Sequence, residues 1–256
     1  MKHQHSTFWR NGRRLTSLVV GMFLVMTAFP ASAQFKPRDR KPASGNSRGA
    51  GSRGCLSSGI PLTQLAPVTF IGKTASTRPT LVWYMSSPDK VRFRLFEFDS
   101  ATSVKQIGKV QEIPTIVGIN QLKLPPNYPE LTVDKTYLWQ IAINCNENDV
   151  IINHAEFTVI KPQLLPDNQF TTILERVNYY AEKELWYEAL SEALKATDNG
   201  KLGQIGTTLV KDLAQSEIPT GSDINIKNIQ QRIEYLQEIV NKESSDVPQK
   251  RARGEL

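Results

Sequence analysis

Short runs in which apolar positions alternate with polar ones, separated by turn chemistry, fill the chain from Leu56 to Ile160 and predict β-strands. Leu81 to Met85 is a β-rich run between Pro79 and Ser86-Ser87-Pro88. Val91 to Phe98 alternates Val91, Phe93 and Leu95 with Arg92 and Arg94, then carries on in the other register at Phe96 and Phe98. That change predicts a bulge, or burial on both faces, near Leu95-Phe96. Lys105 to Ile113 and Gly118 to Leu124 follow. Tyr137, Trp139, Ile141, Ile143 and Cys145 then share one face, and Ile151 to Ile160 forms a last strand after the turn Asn146-Glu147-Asn148-Asp149. Strands at about ten-residue spacing predict an antiparallel Ig-like β-sandwich over residues 55–160.

The period changes after Lys161-Pro162-Gln163-Leu164-Leu165-Pro166. Asp167 suits an N-cap, and Phe170, Ile173, Leu174, Val177 and Ala181 recur at helical spacing. Leu185, Trp186, Ala189, Leu190, Ala193 and Leu194 make a second stripe, ended by Asn199-Gly200. A third helix is expected near Leu202 to Gln215, and a fourth over Asn225 to Asn241 on Ile226, Ile229, Ile233, Leu236 and Val240. The fold class is therefore α+β, with a helical segment of three to four helices over 161–241. The short Lys161–Pro166 connection favours docking of that segment on the sandwich, and the polar residues 242–256 read as a flexible tail.

The N-terminus carries a different pattern. Lys2, Arg10, Arg13 and Arg14 precede an apolar run from Leu15 to Phe29, and Ala31-Ser32-Ala33 follows Pro30. This is the order of a cleavable signal peptide over residues 1–33, with Ala31 and Ala33 marking the cut and Gln34 the new N-terminus. An apolar core of about 15 residues is short for a membrane span, so none is expected after cleavage. The destination is the periplasm or the cell exterior. Removing the leader lowers the formal charge from +6 to +2. Residues 34–54, rich in Pro, Gly, Ser, Arg and Lys, hold +5 of the remainder and read as a disordered basic linker. The body from Cys55 onward is −3, which argues against a nucleic-acid footprint.

Two cysteines, Cys55 and Cys145, are the full complement of the chain. In an oxidising compartment an even pair reads as a disulfide; two buried free thiols are the alternative. The bridge would close a loop of about 90 residues and stabilise by roughly 4–5 kcal/mol.

Candidate chemistry is sparse. His154 is the one histidine left after cleavage, two residues from Glu156 and on the same strand face. No second histidine, spare cysteine or nucleophile-elbow motif completes a catalytic or metal site around the pair, so no catalytic residue, metal or cofactor is expected. Trp83 and Tyr84 could join His154 and Glu156 on a binding surface, although aromatics at strand parity more often belong to a core. Carboxylate pairs for glycoside chemistry need only Asp and Glu, and the spacing singles none out.

Several runs carry a family likeness: Arg53-Gly54-Cys55, Pro61-Leu62-Thr63-Gln64-Leu65-Ala66-Pro67, Thr74, and Arg78-Pro79-Thr80-Leu81-Val82-Trp83-Tyr84. Gly118-Ile119, Leu124-Pro125, Lys135-Thr136-Tyr137-Leu138-Trp139 into Cys145, and Leu185-Trp186-Tyr187-Glu188-Ala189-Leu190 continue it. This succession resembles the cyanobacterial domain-of-unknown-function family 928 over about Arg48 to Glu217. The resemblance implies an exported protein and no particular activity. Many relatives have a Gly-x-Ile/Val-Arg-type last strand; here Ile151-Ile152-Asn153-His154 stands instead, which sets aside a role for a family arginine.

The leading expectation is thus a non-catalytic interaction or structural module of the cell envelope, whose partner is an envelope protein or polysaccharide. The alternative is a secreted carboxylate-dependent hydrolase acting on envelope polysaccharide. No oligomeric state follows from the pattern. The exported protein should begin at Gln34 by intact mass; a product that retains Met1 overturns the cleavage expectation.

Overall fold

Alternating runs become strands within a residue or two of where the pattern puts them. The computed structural model describes residues 34–44, 59–101, 103–144, 150–162, 170–219 and 222–245. Its strands are β1 (Thr63–Gln64), β2 (Gly72–Thr74), β3 (Thr80–Met85), β4 (Lys90–Phe98), β5 (Val104–Pro114), β6 (Gly118–Lys123), β7 (Thr136–Asn144) and β8 (Val150–Val159). Four helices follow: α1 (Ile173–Glu182), α2 (Trp186–Leu194), α3 (Gly203–Ser216) and α4 (Asp223–Ser245).

One sheet has the order β1-β3-β6 and is antiparallel throughout. The other has the order β2-β8-β7-β4-β5. Here the expectation of purely antiparallel pairing is corrected, because β2 lies parallel to β8, with Gly72 opposite Phe157. The cause is the short crossing from β1 in the first sheet to β2 in the second, which delivers β2 in the direction of β8. The anticipated irregularity falls between Phe93 and Leu95, where the register of β4 on β5 shifts. The extra residues lie on β5 around Gly108, so β4 keeps its alternation and buries Val91, Phe93 and Leu95 almost completely.

The buried faces of the two sheets and the helices share one hydrophobic core. Trp83 and Tyr84 come from β3, Tyr137, Trp139 and Ile141 from β7, Ala155 and Phe157 from β8, and Trp186, Tyr187 and Leu190 from α2. Trp139 Nε1 donates to the Tyr187 hydroxyl at 3.3 Å, and Trp186 Nε1 donates to Leu65 O at 2.9 Å. Tyr187 reaches this position because residue 72 has no side chain: a Cβ there would sit 3.1 Å from its ring. The helices share this core, with α2 against β2 and β3 and α4 against β1.

Three boundaries differ from expectation. Helix α1 begins at Ile173 under a Thr172–Glu175 capping box, while Asp167 lies outside the described residues. Helix α4 runs to Ser245, past the expected start of a tail at Lys242, because Glu243 is buried and accepts from the Leu202 N–H at 2.7 Å. The larger correction concerns residues 34–44, expected to be part of a disordered linker. Phe35 is 3% exposed, packs edge-on against Trp186 with ring centroids 4.8 Å apart, and donates its N–H to Asp212 Oδ2 at 2.7 Å. Arg38 N–H donates to Glu184 at 2.8 Å, Lys41 O accepts from Ile71 N–H at 2.9 Å, and Pro42 bridges Phe70.

Composition misses this strap because one aromatic anchor and a series of backbone contacts hold it. Neither stands out in a run dominated by proline and charge. Residues 45–54 of the expected linker lie outside the described residues. Replacing Phe35→Ala should lower unfolding stability by about 3 kcal/mol, the order for a buried aromatic truncated in a core. Urea denaturation with unchanged stability in the variant would show the strap to be dispensable.

Candidate functional site

The sequence-derived residues do not converge. Trp83 and Tyr84 are each 1% exposed on β3, so they belong to the core and form no binding surface. The Tyr84 hydroxyl accepts from Lys242 Nζ of α4 at 3.0 Å. His154 and Glu156 lie on β8 in the other sheet. Gln34 is exposed at the head of the strap, while Ala31, Ala33, Cys55 and Cys145 lie outside the described residues.

Strand alternation puts His154 and Glu156 on the opposite side of the five-stranded sheet from the core residues Ala155 and Phe157. Cross-strand register then assembles three rows on that outer face. Arg94 of β4 is opposite Gln140 of β7, which is opposite His154 of β8. One step along, Phe96, Leu138 and Glu156 align; one step the other way, Arg92, Ala142 and Ile152 align. A polar row thus runs between two largely apolar ones.

Gln140 is 8% exposed, and its Oε1 has no hydrogen-bond partner among the described residues. Arg94 is half-buried and makes no hydrogen bond or ion pair among them. Arg92 donates Nη2 to Asn144 Oδ1 at 2.6 Å. Glu156 is buried, and its carboxylate accepts from the N–H and hydroxyl of Ser44 at 3.0 and 2.5 Å. Sequence reading identified half of this face, His154 and Glu156. Arg94 and Gln140 stand at polar positions of their strands and join the pair only through cross-strand register.

Several carboxylates serve as acceptors within the fold. Glu217 accepts from the Val68 and Thr69 N–H groups at 2.9 Å each and lies 3.6 Å from Arg232 Nε. Glu188 Oε1 accepts from the Thr74 hydroxyl at 2.6 Å and from the N–H groups of Ala75 and Ser76 at 2.9 and 3.0 Å. Glu184 accepts from Lys73 Nζ at 2.7 Å as well as from Arg38. With Asp212, Glu156 and Glu243, six partly or fully buried carboxylates among the described residues accept backbone N–H groups of loops or the strap. Carboxylates so used act as fixed acceptors.

Their environments differ in sign. Burial raises the Glu188 carboxyl above its ordinary range, against the pull of the Thr74 hydroxyl and the two loop amides. Burial also lifts Asp212, outweighing the Phe35 N–H and the nearby Lys211. At Glu184 burial acts upward too, but the Lys73 ammonium and the Arg38 amide prevail and hold the carboxyl low.

A hollow of about 300 Å³ lies where β6 meets the turn between α2 and α3, lined by Ile119, Gln121, Leu194, Thr197 and Gly200 among others. Ile119 N–H donates to Gly200 O at 2.9 Å, and a Cβ on residue 118 would come within 2.2 Å of that oxygen. With φ at +93°, residue 118 needs glycine for conformation and space alike.

With the geometry described, likeness to known proteins can be placed. The family described as Domain of Unknown Function (DUF928) matches residues 44–217, and the chain belongs to that family. The strap up to Ala43 and all of α4 lie outside the matched residues. No curated protein matches the chain. Among solved structures, the fn3 domain of human collagen alpha-1(XX) chain is similar at 13% identity, covering 48% of this chain and 99% of that chain with a TM-score of 0.25. At that score the likeness carries no argument.

Because the folded-state value of Glu188 lies above its unfolded one, the stability it contributes is full at acid pH and is lost as pH rises through the raised value. The stability advantage of the native protein over Glu188→Gln should therefore shrink as pH rises from acid to above the ordinary carboxylate range. Urea unfolding of both proteins across that range checks it, and a constant difference refutes it.

Proposed function

We propose that this chain is an exported, non-catalytic interaction or structural module of the cell envelope, built on an Ig-like sandwich with its C-terminal helices docked. A leader cleaved ahead of Gln34, a Cys55–Cys145 disulfide and a location in the periplasm or outside the cell belong to the same reading. The observation that supports it best is how the carboxylates are used. Six partly or fully buried ones among the described residues accept loop or strap N–H groups, an arrangement that stiffens a scaffold. Catalysis by a carboxylate pair instead requires two such groups facing one substrate bond in unequal environments. A rigid scaffold suits presentation of a binding surface.

Among the described residues no helix is long and apolar enough to cross a membrane, which agrees with a module that has no span after its leader is removed. The immobilised exported protein should retain a component of an envelope fraction, either protein or protease-resistant polysaccharide. Release of new reducing ends from envelope polysaccharide, with no retained component, would overturn the module reading in favour of a hydrolase.

A further inference from the structure

Resting on the leader cleavage of the module reading, we propose that processing ahead of Gln34 creates an ionic lock, in which the new α-ammonium of residue 34 pairs with Asp212 of α3 and fastens the strap to the body. The contact between Phe35 and Asp212 carries the argument. Phe35 is 3% exposed against Trp186, and its N–H donates to Asp212 Oδ2 at 2.7 Å, so the carboxylate stands one residue from the new terminus. Backbone bond lengths put the nitrogen of residue 34 at most about 3.7 Å from that of Phe35, and so within about 6.4 Å of the same oxygen. Opposite charges about 4–6 Å apart favour each other's ionised forms. Gln34 is exposed, so rotation about its own backbone bonds can shorten the gap.

The carboxylate has a place for a cation. Among the described residues half-buried Asp212 forms no ion pair, and Lys211 beside it on α3 acts on it only through space. Comparable acceptors are better supplied. Glu184, which takes the Arg38 N–H further along the strap, has Lys73 Nζ at 2.7 Å, and Glu217 has Arg232 Nε at 3.6 Å. Leader removal gives Asp212 the cation that these two already have. A cut several residues upstream would leave the charge remote from Asp212, and one two residues downstream would remove Phe35 itself. The Ala31-Ser32-Ala33 signal places the cut between these limits.

Gln34 also carries the means to undo the pair. Its neutral α-nitrogen can attack Cδ of its own side-chain amide: an N–Cδ bond forms, the Cδ–Nε2 bond breaks, and ammonia leaves with the proton of the amine. The resulting lactam is uncharged and gives Asp212 nothing to pair with. Only the neutral amine attacks, so the lock slows the ring closure that would open it.

Nuclear magnetic resonance on the exported protein tests the inference. In Gln34→Ala, which cannot cyclise, the methyl group introduced at residue 34 reports the titration of its own α-amine. That amine should titrate about one unit or more above the ordinary value of about 7.7–8.0, and adding Asp212→Asn should return it there. Asp212→Asn keeps an acceptor oxygen for the Phe35 amide, and the ring contact of Phe35 with Trp186 verifies that the strap stays docked. With Gln34 in place, Asp212→Asn should speed ammonia loss near pH 7 about tenfold, the gain in neutral amine that one unit implies, as followed by intact mass. An α-amine at its ordinary value, one unmoved by Asp212→Asn, or equal cyclisation rates would each overturn the inference. An intact mass that begins elsewhere than Gln34 removes the leader boundary together with the lock, whereas a terminus at Gln34 with an unshifted amine keeps the boundary and removes the lock alone.

Discussion

The fold depends on the satisfaction of one irregular segment, Leu65 to Ile71, which crosses from the first sheet to the second. Leu65, Ala66 and Phe70 are buried, so their backbone groups need partners that neither sheet supplies in full. Leu65 N–H donates to Val82 O, and Leu65 O accepts from Trp186 of α2. Ala66 O accepts from Arg232 of α4, while Pro67 has no N–H to place. Val68 and Thr69 donate to Glu217 just beyond α3, and Thr69 to Ile71 meet the strap through Ala43, Pro42 and Lys41. Three of the four helices or their flanks, and the N-terminal strap as well, therefore meet the same seven residues. Charged acceptors hold amides at roughly 1.5–3 kcal/mol each, so Glu217 alone contributes as much as a well-buried side chain.

This dependence explains why helices and sheets form one unit. The crossing segment cannot be buried until α2, the end of α3 and α4 are present to accept and donate. The family match ends at residue 217, which retains the Glu217 acceptor but stops short of Arg232, its ionic neighbour at 3.6 Å. Beyond that boundary α4 supplies Arg232 and packs Leu236 and Ile239 fully out of solvent. The strap performs the corresponding task on the other side.

How much could be read from the chain follows from the kind of interaction involved. The six longer strands and all four helices were legible, because each buries a periodic set of side chains: Val91, Phe93 and Leu95 on β4, or Ala189, Leu190 and Ala193 on α2. Strands β1 and β2, two and three residues long, have no period to detect. The parallel pairing of β2 on β8 follows from a chain crossing, which no local pattern encodes. The strap was missed since its composition is that of a linker, and Phe35 is a single apolar residue among charges. As for the outer face, His154 and Glu156 drew notice as titratable residues, while Arg94 and Gln140 look like ordinary solvent-side positions until register aligns them.

Polar groups inside the molecule are treated according to their charge. Glu217, Glu243 and Glu156 are all deeply buried, and each carboxylate accepts at least one donor within 3.0 Å. Even Asp212, lifted by burial, has the Phe35 amide. Uncharged groups are answered less fully: the Oε1 atoms of Gln64 and Gln140 and the Trp83 Nε1 are buried without a hydrogen-bond partner among the described residues. An unpaired buried carboxylate costs far more than an unpaired amide oxygen, so the loop and strap donors stand where the charge is. The buried carboxylates thereby decide where the irregular segments are pinned, and the strap and the crossing segment take their paths from them.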